Sequence, residues 1–203
     1  MIFSDTQIDI LKEIINISVG KSTGLLNKLI GKRVKLKVPS IKILSLDQLK
    51  EIINSSGKNQ VSSVVMPFKG EFSGMVEMIF PTSSAITLVD LFTQEESFTD
   101  DIDILRSSAL SEIGNIILNS LIGNISNMLS TRLRYSIPKY FEGSSDDIIN
   151  IYDCQSDVII YANTYFSIQN VEIQGNFIIF LEVKSIKRLL ELIDDFGTKL
   201  DDE

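Results

Sequence analysis

The chain has 203 residues, 44% hydrophobic and 23% charged, which is enough to bury one sizeable core. A formal net charge of −8 and a pI near 4.7 argue against nucleic acid or an anionic membrane surface as partner, because both require clustered Lys and Arg. The absence of histidine excludes a His-based triad or a histidine-ligated zinc centre, and the single Cys154 cannot form an internal disulfide. The N-terminus lacks a basic region followed by a long apolar core, and no run reaches about 18 apolar residues, so a cytoplasmic protein is expected.

In chain order, Ser4 with Gln7 reads as a capping box that starts a helix near Asp5, running to Ile30 and stopped by Gly31. Residues 35–44 alternate as a strand whose apolar phase switches across Pro39, which marks a bulge or an edge because proline removes a ladder donor. A short helix is predicted over 46–53. Strands over 60–68 and 71–80 flank Lys69 and Gly70 as a hairpin, and a third helix covers 82–92. The acidic stretch 93–101 reads as the linker into a second long helix, taken here as Asp103 to Arg132. A strand over 135–141 containing Pro138 follows, then a helical turn at 144–150. A second hairpin over 158–168 and 171–183 turns around Gln169 and Asn170, an amphipathic helix spans 185–196, and the tail from Gly197 is expected to fray.

This order repeats. A shift of 99 positions lays Leu11, Glu13, Ile14, Asn16, Ile17, Gly24 and Pro39 onto Leu110, Glu112, Ile113, Asn115, Ile116, Gly123 and Pro138, each identical. The expected architecture is therefore an α/β fold, internally duplicated, with an antiparallel-rich sheet related to itself by a pseudo-twofold. Residues 1–203 form one unit built from repeats at about 5–92 and 102–196. Helical spacing puts Asp9, Glu13 and Asn16 on one stripe, and Ser108, Glu112 and Asn115 on its counterpart. The predicted apolar stripes are Leu11, Ile14, Ile15, Ser18, Leu25 and Leu29 in the first copy, and Leu110, Ile113, Ile117, Leu121 and Met128 in the second.

Exposed positions drift after duplication because packing does not restrain them, yet the Glu and Asn kept identity while Lys12, Ser18 and Lys21 did not. An ionised carboxylate on a solvated face is a poor general acid, and no nucleophile with a base is evident beside it. An amide can donate and accept together, which suits it to hold a water in line with an electrophile. A carboxylate beside a phosphoryl group would repel it, so Glu is better matched to a cation on a partner. Such a half-site makes sense if the rest of the reaction centre arrives on another protein.

The pattern Asp/Ser-x3-Glu-x2-Asn-x22-Pro, carried by Asp9, Glu13, Asn16 and Pro39 and again by Ser108, Glu112, Asn115 and Pro138, resembles the CheC family of chemotaxis phosphatases, within the CheC/CheX/FliY superfamily. The resemblance spans essentially the whole chain. It implies two long helices side by side on one face of a continuous sheet, and hydrolysis of the aspartyl phosphate of the response regulator CheY. It further implies that Asn16 and Asn115 position the water, that Glu13 and Glu112 pair with a regulator lysine, and that the chain needs no cofactor of its own because Mg²⁺ sits on the regulator. One departure stands out: Gly precedes Asn115, as the family pattern has it, but Ile15 precedes Asn16. No counterpart of the extra C-terminal domain of FliY is expected, and CheX, with one copy, would need a dimer for two sites. The alternative reading is a non-catalytic adaptor that binds CheY or the receptor deamidase CheD.

Overall fold

The computed structural model describes residues 3–55, 60–93, 102–144, 147, 158–168 and 171–201. Its elements are α1 (Asp5–Ile30), β1 (Val34–Leu44), α2 (Leu46–Ser55), β2 (Gln60–Gly70), β3 (Gly74–Pro81), α3 (Thr82–Thr93), α4 (Ile102–Met128), β4 (Leu133–Tyr135), β5 (Lys139–Ser144), β6 (Ile159–Ile168), β7 (Val171–Leu181) and α5 (Val183–Asp201). The Ser4–Gln7 capping box forms in both directions, and Gly31 ends α1 with φ 67°, a left-handed geometry that glycine adopts without a Cβ penalty.

One seven-stranded sheet runs β1-β6-β7-β3-β2-β4, with β5 also on β2, and every pairing is antiparallel. The pseudo-twofold passes between β7 and β3, where the two hairpins meet. The strands of the repeats are exchanged: β1 of the first repeat pairs with β6 of the second, while β4 and β5 of the second pair with β2 of the first.

On one face lies the larger core, into which α1, α3, α4 and α5 all bury side chains. The two long helices touch directly, with Lys21 Nζ donating to Asn124 Oδ1 (2.8 Å) and Ser120 Oγ donating to the Ser18 carbonyl (3.2 Å). The other face carries a smaller cluster in which Leu49 and Ile53 of α2 pack on Val65, Ile159, Tyr161 and Ile178.

Several boundaries differ from the sequence-based expectation. The second long helix ends at Met128, because Ser130 turns to φ 51° and Ser126 Oγ bonds to Thr131 O and Leu133 N, drawing the chain into β4. In the first hairpin β2 continues through Gly70, so the turn falls at residues 71–73. The tail is helical to Asp201 rather than frayed: Gly197 lies against Ile10 of α1, too close to admit a Cβ without displacing Ile10 Cδ1. On α1, Leu25 and Leu29 are about half exposed while Val19, Ser22 and Leu26 are buried, because a helical wheel fixes angles but not which side is covered at the C-terminal end. Residue 93 belongs to α3, and the rest of the expected linker, 94–101, lies outside the described residues. Of the expected turn at 144–150, Ser144 ends β5 and Asp147 is helical; the others lie outside the described residues, as do Gln169 and Asn170.

Candidate functional site

The bulge predicted at Pro39 is present: Lys37 faces Tyr165 and Ser40 faces Asn163, so Val38 and Pro39 together oppose the single residue 164. A bulge leaves backbone groups without ladder partners, and here a side chain supplies them. Asn16 Oδ1 accepts from the Val38 N–H (2.9 Å), and Asn16 Nδ2 donates to the Val38 carbonyl (2.9 Å) and to Lys12 O (3.0 Å). Both amide hydrogens of Asn16 are used. Asp9 and Glu13 stay exposed one and two turns earlier, and Pro39 is exposed on the strand edge.

The second copy starts from the same residues and ends differently. Its strand is broken: Tyr135 faces Phe68 and Lys139 faces Val65, so residues 136–138 oppose only Met66 and Pro67. Pro67 has no N–H to offer, so the ladder cannot close across it; its carbonyl accepts from the Ser136 N–H (3.0 Å). The chain then bends outward. Val38 is 1% exposed, whereas its counterpart Ile137 is 86% exposed.

Asn115 therefore has no strand backbone to hold. Its Oδ1 accepts from Asn119 Nδ2 (2.7 Å), while its own Nδ2 has no partner among the described residues. Glu112 is exposed one turn before it, and neither Glu112 nor Glu13 makes an ion pair with a described residue. Ser108, Glu112, Asn115, Leu105, Ile137 and Pro138 line one shallow cavity of about 620 Å³.

The helix is set deep here by Gly114. A Cβ at that position would meet Val64 Cγ1 at 2.5 Å, so α4 rests on β2 as only glycine permits. Ile15, in the same place on α1, turns wholly into the core. Two residues beyond Pro138, Tyr140 donates to Glu142 Oε2 (2.7 Å), and burial above all pushes its pKa up to about 12, so it remains a neutral phenol at physiological pH.

The residues singled out from sequence thus divide. Ser108, Glu112, Asn115 and Pro138 come together in an open cavity, whereas Asn16 is tied to the strand beside Pro39 and leaves Glu13 and Asp9 without an available amide. Sequence reasoning missed Ile137 and Leu105, which line the second site. Ile137 carried a signal, since it follows the exposed Tyr135 and Ser136 and precedes a proline, but without the break at Pro67 the alternation reads as an ordinary strand.

An amide with a free donor, a half-used acceptor and a carboxylate one turn away can orient a water and hold a cation brought by a second molecule. The family model described as "Chemotaxis phosphatase CheX" matches residues 62–161, a span that contains Glu112, Asn115 and Pro138 but not Glu13 or Asn16. The chain is 28% identical over 138 residues to "CheY-P phosphatase CheC" of Bacillus subtilis (strain 168), an alignment covering 66% of this chain and 66% of that protein. Thermotoga maritima FliY shares the fold with a TM-score of 0.77 at 18% identity, covering 97% of this chain and 100% of that one. CheX of Borrelia burgdorferi, solved as a CheX–CheY–BeF3–Mg complex, aligns with a TM-score of 0.53 at 16% identity, over 86% of this chain and 99% of that one. Among the described residues no helix is long and apolar enough to cross a membrane. By the family model and the sequence match, and with a fold shared with FliY, the chain is similar to the CheC/CheX/FliY family of chemotaxis proteins.

Proposed function

We propose that this chain hydrolyses the aspartyl phosphate of a CheY-type response regulator, and that it does so at the second copy of the motif. The observation that carries the reading is Asn115, whose Nδ2 has no partner among the described residues, beside the exposed Glu112 at the mouth of an open cavity. In this reading Asn115 holds a water in line with the phosphorus. The bond from water oxygen to phosphorus forms as the bond to the aspartyl oxygen breaks. Inorganic phosphate leaves, the carboxylate is restored on the regulator, and the released proton goes to solvent. Glu112 pairs with a lysine of the regulator and fixes the approach, and Mg²⁺ is carried by the regulator. The family match and the Borrelia burgdorferi CheX–CheY complex support CheY as the partner.

The test follows loss of phosphate from the phosphorylated cognate regulator, with and without this chain in catalytic amount. Acceleration is expected. Its absence would leave only a binding role, toward CheY or toward CheD.

A further inference from the structure

We propose that Ile137 is the apolar anchor on which the partner regulator seats as it presents its phosphoryl group to Asn115; this rests on the phosphatase reading above. A lone exposed apolar side chain on a surface is ordinary. Ile137 differs in three respects. It is 86% exposed, the largest value among the exposed large hydrophobics, and its repeat-mate Val38 shows that this position has a core to enter when the strand closes. It lines the same cavity as Glu112 and Asn115, so a partner that brings an acyl phosphate within hydrogen-bond reach of the Asn115 amide must lie over it. It is also held in place: Ser136 N–H is bonded to Pro67 O, and Pro138 restricts the residue before it to extended backbone, so little conformational entropy remains to be lost on docking.

The chemistry of the partner follows. The regulator must present an apolar recess beside its phosphorylated aspartate, next to the lysine that meets Glu112. Leu105, half-buried on α4, lines the same cavity and adds to the apolar surface that the regulator would cover. Ile137 acts on seating and takes no part in bond breaking, so its removal should appear in KM and leave kcat unchanged.

The experiment compares wild type, Ile137→Ser and Ile137→Val. Phosphate release is measured against concentration of phosphorylated regulator, and calorimetry is run separately with the regulator carrying a phosphoryl mimic. Ile137→Ser is expected to raise KM and Kd about tenfold, equivalent to about 1.4 kcal/mol, with kcat within about twofold and the thermal midpoint unmoved. Ile137→Val should keep most of the affinity. If wild type hydrolyses the phosphate and Ile137→Ser matches it in KM and Kd, the anchor is wrong and the phosphatase reading stands. If wild type binds without hydrolysis and Ile137→Ser weakens that binding, the anchor stands and the phosphatase reading falls. A wild type that does neither overturns both.

Discussion

The two copies of the motif carry the same glutamate, asparagine and proline at the same spacing, yet Asn16 closes a bulge in β1 while Asn115 faces an open cavity. The helices are not what separates them. In the first copy Val38 and Pro39 form a two-for-one bulge opposite residue 164, Val38 turns inward, and its backbone groups, which have no ladder partner there, hold the asparagine. In the second, Pro67 on the neighbouring strand denies the ladder a donor, and residues 136–138 bow out. A duplicated motif therefore fixes which side chains are available, and the strand opposite decides whether they serve the fold or a ligand.

The largest effect expected from this difference is catalytic. Asn115→Ala should lower phosphate release from the regulator about 10²-fold, or about 3 kcal/mol of barrier, while Asn16→Ala leaves it within about twofold per folded molecule. Equal losses would mean that Asn16 leaves Val38 when the partner arrives, and the contrast between the copies would collapse.

Stability should show the reverse order. Asn16→Ala strips partners from both backbone groups of Val38 and should cost about 2 kcal/mol, read as a lower midpoint in urea unfolding. Asn115→Ala, at a position whose donor is already unpartnered, should stay within about 0.5 kcal/mol.

The smallest difference concerns charge. Glu112→Lys should weaken binding to a regulator carrying a phosphoryl mimic about fivefold, or about 1 kcal/mol, by placing like charges together, and Glu13→Lys should leave it unchanged. Calorimetry on the two variants side by side sharpens the assignment, and a matched effect at Glu13 would place the partner on the first copy as well.

Local signals carried much of the fold. The capping box at Ser4, the stop at Gly31, the bulge at Pro39, both hairpins and the duplication are all encoded within a few residues, or by self-similarity, and could be read from sequence alone. What could not be read depends on residues far apart. The helical continuation past Gly197 depends on Ile10, which lies at the other end of the chain. The end of α4 at Met128 depends on Ser126 reaching across to Thr131 and Leu133. The site was half legible for the same reason. Ile15 in place of glycine marked the first copy as different, but the substance of that difference lies in Val38 and Pro67, which no helical pattern contains.

The strand exchange constrains how this chain can reach its native state. Because β1 finishes the second hairpin and β4 and β5 finish the first, each repeat taken by itself would present an open sheet edge and an uncovered helix face. Closure requires contacts between residues far apart in sequence: Val34 with Ile168 where β1 joins the second hairpin, and Gln60 with Ser144 where β5 joins the first. Such topology favours slow, all-or-none folding over stepwise assembly of halves, with loop closure as the dominant entropic barrier. It also means that a substitution confined to one repeat, Asn16→Ala included, weakens the whole molecule: loosening β1 at Val38 exposes the flank of β6, and β6 belongs to the repeat that carries Asn115.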